Sequence, residues 1–413
     1  MTDARLSSPR AGSFDRRDRA DWILDRYCRL GDKRAGSPGD QAAVAWIAEE
    51  LSELDYRVTV EGFTATWSSA GATYLAWSGG AVPLISHPAS PAGRLVGPMT
   101  RRLAEVTDPG PAGTVAVLDL PHARWSSARD GRIQDWVSSA VDRGAKAVVL
   151  VTHGPSGLAV PLNTGLTGDD FPVPVAILSP RDAIAIPVGD GVEATFRVER
   201  NDEPREVFNV VGRIDRGAGR TLVLSTPRSG WSTCVGERGS GLASWLLLVE
   251  EAARSIPDVD ILALCTTAHE RGYAGMREHL SREPAPVDRT ALWVHIGANA
   301  ATKDWREVPG GLIPIPSADP QRFLAVSPSL LNAARDSFAG APGLEAPHDV
   351  NDGAGGELGD IATAGYPSVV GVFGAHRFHH TATDDLSCVS ADLCIDLADR
   401  MLHLIRSTLS RAV

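Results

Sequence analysis

The sequence predicts an α/β fold: a central mixed, mostly parallel sheet with helices on both faces, plus a smaller inserted α/β module. From residue 207 onward, apolar runs of strand length alternate with amphipathic segments of helix length. Two of these runs, DILALCT and ALWVHI, are almost continuously apolar, as in strands buried on both faces of a sheet. Residues 80–200 differ in composition, with frequent Pro and Gly and short apolar runs.

The N-terminal part predicts one helix followed by one strand. In AAVAWIAEELSEL, the apolar residues Val44, Ile47, Leu51 and Leu54 share one helical face. The next segment, RVTVEGFTA, alternates and is rich in β-branched residues, which is typical of a strand. We expect residues 1–79 to belong to the main domain.

Residues 80–200 predict a separate module inserted into that domain. Apolar runs at 115–118, 147–151 and 175–178 are candidate strands. Between the first two lies the candidate helix IQDWVSSAVDRG, with Gly144 in a C-cap position.

Residues 201–413 predict the rest of the main domain. Candidate strands are VFNVVGRI, TLVLS, DILALCT, ALWVHI and PSVVGVF. The helix GLASWLLLVEEAARS places Leu242, Trp245, Leu246 and Val249 on one face, and Ser390 caps a last helix, DLCIDLADRMLHLIRSTL.

Composition excludes several functions. The chain has 413 residues, of which 43% are hydrophobic, and 40 basic against 51 acidic residues give a net charge of −11. An acidic protein binds nucleic acids and anionic membranes poorly, so we expect neither partner. The five cysteines form no CxxC pair, and we see no apolar leader or membrane-length apolar run. We therefore expect a cytoplasmic protein; whether it forms a homo-oligomer is open.

Candidate functional residues lie where the predicted strands end, which is where sites collect in open α/β sheets. They are Arg228 and Trp231 after TLVLS, Glu237 and Arg238 before the next helix, His269, Glu270 and Arg271 after DILALCT, His295 near the end of ALWVHI, and His380 after PSVVGVF.

Three of these residues suit a metal ion. Glu237, Glu270 and His380 offer two carboxylates and one imidazole, a set that binds zinc with one position open for water and that also accepts manganese. Such an ion acidifies its bound water. His269 is the candidate proton acceptor, because an imidazole titrates near pH ~6.5.

Several segments, taken in order, resemble one enzyme family. They are RAGSPG (34–39) before the first helix, NVVG (209–212), GSG (239–241) before a long apolar helix, HERGYAG (269–275), GYP (365–367), and His380-Thr381 with Asp384 or Asp385 following. Together they resemble the co-catalytic zinc aminopeptidases, which include bacterial leucyl aminopeptidases and glutaminyl cyclases. Residues 80–200, with DRGAKAVVLV and FPVPVAILSPRDA, resemble the protease-associated insert of many relatives.

The sequence departs from this family on one side of its two-metal site. The resemblance places Pro227 and Ser229 where the family has the two outer residues of its His-x-Asp motif. It places His269 at the general-base Glu and His295 at an Asp ligand. The resemblance therefore implies that the first metal position lacks ligands that the family has.

The other side of the site is retained. The resemblance places Glu237 at the bridging Asp, Glu270 at the second Glu and His380 at the last His. Glutaminyl cyclases use a single zinc held by a similar Asp, Glu and His. The resemblance thus implies one divalent metal, with His295 as a fourth ligand or a hydrogen-bonding neighbour.

Structural roles remain open for the same residues. Glu237 can serve as an acid at a helix N-terminus, Glu270 as a surface carboxylate and His295 as a core histidine. His379 competes with His380, and the following Thr381 favours His380. Glu357 is expected to be an ordinary surface charge.

The arginines and the tryptophan have two interpretations. Arg238 and Arg271 can bind an anionic part of the substrate, or can pair with Glu237 and Glu270 and displace the metal. Arg228 and Trp231 form either a substrate-pocket wall or a structural turn.

Two function classes follow. The first is a single-metal hydrolase of an amide or other C–N bond in a small, aromatic or acidic substrate or a short peptide. An aminopeptidase or cyclase-type activity is a variant of it. The second is a metal-free, non-catalytic binding protein on the same fold.

Overall fold

In the computed structural model of the protein, which describes residues 15–105, 113–165, 171–282 and 284–410, helices and strands alternate as the sequence predicts. The helices are α1 (Arg16–Arg29), α2 (Pro38–Glu53), α3 (Gly131–Asp142), α4 (Pro180–Ala183), α5 (Ser240–Ser255), α6 (Ala274–Arg282), α7 (Leu331–Ser337), α8 (Glu357–Thr363) and α9 (Ala391–Leu409). The strands are β1 (Arg57–Trp77), β2 (Gly80–Pro83), β3 (Ile85–Ser86), β4 (Gly93–Leu103), β5 (Val115–Asp119), β6 (Ala147–Val151), β7 (Val175–Leu178), β8 (Gly189–Ile214), β9 (Thr221–Pro227), β10 (Asp260–Thr266), β11 (Thr290–Ile296), β12 (Lys303–Val308), β13 (Gly311–Ala318), β14 (Arg322–Val326), β15 (His348–Asp349) and β16 (Val369–Gly374).

One large sheet runs through the molecule. Its strand order is β15-β14-β16-β11-β9-β10-β8-β4-β5-β6-β7-β3, with β1 paired to β8 and β2 to β1. The strands β16, β11, β9 and β10 are parallel neighbours, and antiparallel pairs flank them, β14 with β16 and β8 with β10. This mixed, mostly parallel sheet confirms the predicted fold class.

Helices cover both faces of the main sheet. Along β9, Leu222 and Leu224 pack in one core with residues of α1, α2, α5 and α9, whereas Val223 packs in a second core with residues of α6 and α8. Side chains of a strand alternate between faces, so two cores sharing one strand must lie on opposite sides of it. A strand buried on both sides has no polar face, which explains the continuous apolar runs.

Residues 80–200 build the other half of the sheet. Strands β4 to β7 are parallel to each other, and α3 covers one face. Gly144, with φ of 108°, follows α3 as expected for a C-terminal glycine. Strand β8 passes through residue 200 without interruption and pairs with β4 and β10. Division into two domains at this residue stays a prediction.

Helix ends agree with their sequence signals in most places. Ser37 caps α2, where its hydroxyl accepts a hydrogen bond from the backbone N–H of Asp40, and Pro38 stands in the first turn. Ser390 precedes α9 as predicted, although its hydroxyl makes no capping hydrogen bond. Among the described residues, no helix is both long and apolar enough to cross a membrane.

Candidate functional site

A cavity of about 300 Å³ opens where β9, β10, β11 and β16 end. His269, His295 and Arg238 line it from the main part of the chain, and Tyr273, Phe323 and Phe373 add aromatic surface. Residues of the segment 80–200, called the inserted segment after its predicted role, contribute to it as well. Its residues in the wall are Arg124, Ser126 and Asn163.

Glu237 and Arg238 lie on a single π-helical turn, Val235–Gly239, that leads directly into α5. Such turns are rare and are frequently found at functional sites. The carboxylate of Asp384 fixes this turn, because it accepts the backbone N–H groups of Gly236 at 2.6 Å and Glu237 at 2.9 Å. Both side chains of the turn are thereby held inside the protein.

The Glu237 carboxylate is fully buried, and its two oxygens differ in their hydrogen-bond partners. Its Oε1 lies 2.6 Å from Nη2 of Arg238 and 3.2 Å from Nε2 of His380. Its Oε2 has no hydrogen-bond partner among the described residues. Burial raises the pKa of Glu237, but the Arg238 guanidinium and His380 outweigh it and hold the pKa well below its usual range. Glu237 is therefore an anion with one unused oxygen.

His380 and His379 stand beside this carboxylate. The Nδ1 of His380 lies 2.7 Å from the carbonyl oxygen of Pro161 and donates a hydrogen bond to it, and Nε2 faces Glu237. The His379 ring stacks on the His380 ring, with 3.8 Å between the two ring centroids. The Nε2 of His379 is 3.1 Å from the hydroxyl of Ser126, while its Nδ1 has no partner in the described part of the chain.

These three residues form the group that fits a metal. One ligand atom each from Glu237, His379 and His380 lie within 4.8 Å of one another. The histidine that sequence reasoning had ranked second is thus part of the group. The adjacent histidine pair was the available signal, but sequence alone does not show the positive φ of 62° at His380 in the segment that brings both rings beside Glu237.

Glu270 lies outside this group. It is buried, and each oxygen is already used: Oε1 accepts the N–H of Ala35 at 2.6 Å, and Oε2 accepts the Ser229 hydroxyl at 2.8 Å. Burial raises its pKa. The sequence-derived set Glu237, Glu270 and His380 is therefore not brought together, because Glu270 ties the strand end to the segment before α2.

His269 reaches the cavity together with a partner that sequence reasoning missed. Its Nδ1 lies 3.2 Å from Oε1 of Glu357, whose two oxygens are each 2.9 Å from the Thr266 hydroxyl. The expectation of a surface charge at Glu357 is wrong, since the residue is 0% exposed at the start of α8. Burial raises the pKa of Glu357 to about 8 and lowers the pKa of His269 well below its usual value.

His295 lies in the cavity wall but outside the metal group. Its Nδ1 is 2.9 Å from the hydroxyl of Ser225, which also accepts the indole N–H of Trp293 at 2.8 Å. Burial and the charge of Arg238 lower the pKa of His295 to about 3, so the ring is neutral.

The other candidate substrate-binding residues lie away from this cavity. Arg228 is fully buried and pairs with Asp40 at 3.0 Å. Trp231 donates its indole N–H to the Asn163 side chain at 2.8 Å, and Arg271 donates to the hydroxyl of Ser68 at 3.1 Å. Trp231 and Arg271 line a separate pocket next to Glu270, so Arg238 alone of the four lines the His269 cavity.

A second cluster, His376, Asp384 and Cys388, also has ligand atoms within 4.8 Å of one another. Burial opposes a charge on His376, but the Asp384 carboxylate 3.2 Å away outweighs it and raises the pKa of His376 to about 10. An imidazolium has no lone pair for a metal. This cluster therefore supports the turn that carries Glu237.

Comparison with known proteins gives a relationship in structure only. No family model matches the sequence, and no curated protein matches it. The solved structure of BSAP, a zinc aminopeptidase from Bacillus subtilis, superposes with a TM-score of 0.71 over 94% of each chain at 15% identity. A peptidase M28 precursor from Shewanella amazonensis gives 0.67 at 16% identity over 94% of this chain and 95% of the other. An aminopeptidase from Aneurinibacillus sp. strain AM-1 gives 0.64 at 16% identity over 94% and 93%.

The chain has the fold of these three solved structures, one of which is the zinc aminopeptidase BSAP. The match spans nearly the whole length on both sides, so the segment 80–200 is included in it. At such low identity the likeness is one of fold, and the chemistry must be argued from the side chains of this chain.

Proposed function

We propose that the protein is a metal-dependent hydrolase that cleaves an amide or other C–N bond in a small molecule or short peptide, with one divalent ion held by Glu237, His379 and His380. The observation that carries this proposal is their convergence within 4.8 Å at the end of the sheet. A carboxylate and two imidazoles with one position left open for water make a typical catalytic zinc set. The fold shared with zinc aminopeptidases supports the same reaction class.

The unsatisfied atoms of the site fit an ion. Glu237 Oε2 and His379 Nδ1 are buried without a hydrogen-bond partner among the described residues. Leaving such atoms unpaired costs about 1–3 kcal/mol each, so they indicate a missing partner. Arg238 occupies Oε1 of Glu237 and leaves Oε2 open. When bound, a divalent ion would polarise the carbonyl and acidify a water molecule.

The chain itself supplies the proton acceptor. His269 is neutral and lines the cavity, and its Nδ1 faces Glu357. When Nδ1–H donates to the ionised Glu357, the Nε2 lone pair is free to accept a proton from water and to return it to the departing nitrogen. The Thr266 hydroxyl holds Glu357 in this orientation.

Metal analysis combined with turnover tests the proposal. The protein, purified without chelator or nickel, should hold about one zinc or manganese per chain and hydrolyse amides only when loaded. Glu237→Gln should lose the ion. Glu270→Gln is the matched control, because it neutralises another buried carboxylate whose oxygens are both occupied, and it should keep the ion. Equal metal loss in both variants would contradict the proposed ligand set.

A metal-free binding protein is the second candidate, favoured by the 2.6 Å pair between Arg238 and Glu237. A guanidinium at this distance neutralises the carboxylate and weakens its attraction for a cation. This candidate requires that no ion binds even after reconstitution with zinc, manganese or cobalt, and that no amide is hydrolysed.

A further inference from the structure

Arg238 carries a buried donor that none of the described residues satisfies. The side chain is only 1% exposed; its Nε donates to the Ser229 carbonyl at 3.0 Å and its Nη2 pairs with Glu237 at 2.6 Å. Its Nη1 has no hydrogen-bond partner in the described part of the chain. Arg238 also lines the 300 Å³ cavity. A buried guanidinium N–H that has no partner and lies beside a cavity is placed to donate a hydrogen bond to a ligand.

The charges of the cavity wall select an anion. Neither Asp nor Glu is among the described residues that line it, while two arginines are. Arg124 is already neutralised, since its Nη1 lies 2.8 and 2.7 Å from the two oxygens of Asp319. Burial lowers the pKa of the lining residues His269 and His295, so neither imidazole adds a positive charge to the wall. Arg238 is likewise paired, with Glu237, but among the described lining residues it is the arginine with a buried nitrogen, Nη1, that lacks a hydrogen-bond partner.

The size and the other walls restrict the ligand further. A volume of about 300 Å³ lies at the small end of ligand sites, so it admits roughly one ring with short substituents. Tyr273, Phe323 and Phe373 supply aromatic surface on which a ring or alkyl group would pack. Nη1 and Nη2 are bonded to the same carbon atom, and Nη2 pairs with Glu237. A carboxylate that binds Nη1 therefore lies on the same guanidinium group as Glu237 and close to it.

We propose that Arg238 binds the carboxylate of an N-acyl amino acid with an aromatic or bulky apolar side chain, which places the amide one carbon away from that carboxylate beside Glu237. This assignment rests on the proposed function for the amide cleavage but not for the binding. In the reaction, the oxygen of water bonds to the acyl carbon and the C–N bond breaks. The nitrogen gains a proton, and a carboxylic acid and a free amino acid result.

The test compares N-acetyl-L-phenylalanine with its neutral carboxamide, first on chelator-treated protein by isothermal titration calorimetry. The acid should bind at least tenfold more tightly than the carboxamide, and Arg238→Lys should remove most of that difference. Arg132→Lys, on the exposed surface of α3, is the matched control and should change neither affinity. Equal affinities, or binding of the acid only after zinc is added, would overturn the carboxylate site.

Turnover by the zinc-loaded protein separates the two proposals. Release of phenylalanine from the acid, with slower cleavage of the carboxamide, supports both. Binding of the acid without hydrolysis of any amide supports the carboxylate site and contradicts the proposed hydrolase function. Equal rates on the acid and the carboxamide contradict the carboxylate site alone.

Discussion

Two arginine–carboxylate pairs in this protein, one largely and one fully buried, differ in how completely their hydrogen bonds are satisfied. In the inserted segment, Arg101 donates to both oxygens of Asp119 at 2.8 and 2.9 Å, and its remaining nitrogen donates to the Ala183 and Ile186 carbonyls. In the cavity, Arg238 and Glu237 meet through one bond of 2.6 Å, and each keeps one atom unpaired.

The difference distinguishes a polar pair with a structural role from a polar pair with a functional role. A fully satisfied buried network repays its desolvation and rigidifies the fold. A buried polar atom without a hydrogen-bond partner lowers the stability of the fold, so it indicates a ligand that supplies the partner. The Arg101 pair is therefore a structural element, and the Arg238 pair is where an ion and a substrate carboxylate would bind.

The largest expected effect comes from Glu237→Gln. Glutamine keeps the shape and accepts the Arg238 bond but removes the charge that holds the ion. Hydrolytic activity should fall by more than about a hundredfold, because even an outer partner of a metal ligand is worth ~10–100-fold. Steady-state kinetics and metal content measure it. Activity near the wild-type level would show that Glu237 holds no catalytic ion.

The matching change in the other pair, Asp119→Asn, should reduce stability and leave kcat unchanged. We expect a loss of about 2 kcal/mol, below the ~3–5 kcal/mol of a fully buried pair because the neighbouring His153 is partly exposed. Urea unfolding measures it. A loss of activity without a loss of stability would reverse the roles assigned to the two pairs.

The same variant has a defined pH dependence. Burial opposes ionisation of Asp119, but Arg101 and His153 outweigh it, so its pKa is lowered on folding. A lowered acid pKa stabilises the folded state above its unfolded value of ~3.9, and this contribution disappears as pH falls through the folded value. The stability difference between wild type and Asp119→Asn should therefore shrink below about pH 4. A constant difference down to pH 2 would contradict this.

Glu357→Gln should lower kcat by about tenfold, less than the ~10²–10⁴-fold of general-base assistance, because Glu357 only orients the base His269. Below a pKa of about 8 the wild-type carboxyl is protonated and can donate to His269 Nδ1, which leaves Nε2 unable to accept a proton. Wild-type kcat should therefore rise with pH through about 8, and the variant should lack this rise. A purely structural role would lower stability without changing the pH profile.

The smallest expected effect is that of Ser126→Ala. Its hydroxyl orients His379, and as a single neutral hydrogen bond it should be worth about three- to tenfold in zinc affinity, at or below the lower end of the ~10–100-fold range, with the melting temperature unchanged. Competition with a chromogenic chelator measures it. Ser127→Ala, whose hydroxyl accepts only a local backbone N–H, is the control and should leave the affinity unchanged. Equal affinities in the two variants would show that Ser126 does not orient a ligand.

The sequence predicts the fold better than the site. Strands such as β10 and β11 are buried on both faces and the apolar face of α5 is buried, so continuous apolar runs and helical periodicity are sufficient to predict them. The contacts of Glu270 and Glu357 depend instead on partners distant in the chain, Ala35 and Thr266, which no local pattern indicates. Both His379 and His380 belong to the group with Glu237, in a segment where the positive φ of His380 is not indicated by any local pattern.

The most direct test is a crystal structure of the zinc-soaked protein with anomalous diffraction recorded at the zinc edge. The proposed function predicts one strong peak per chain within bonding distance of Glu237, His379 and His380, with Glu270 still hydrogen-bonded to Ser229. The absence of any peak there, with Arg238 still paired to Glu237, would contradict the hydrolase and favour the metal-free binding protein.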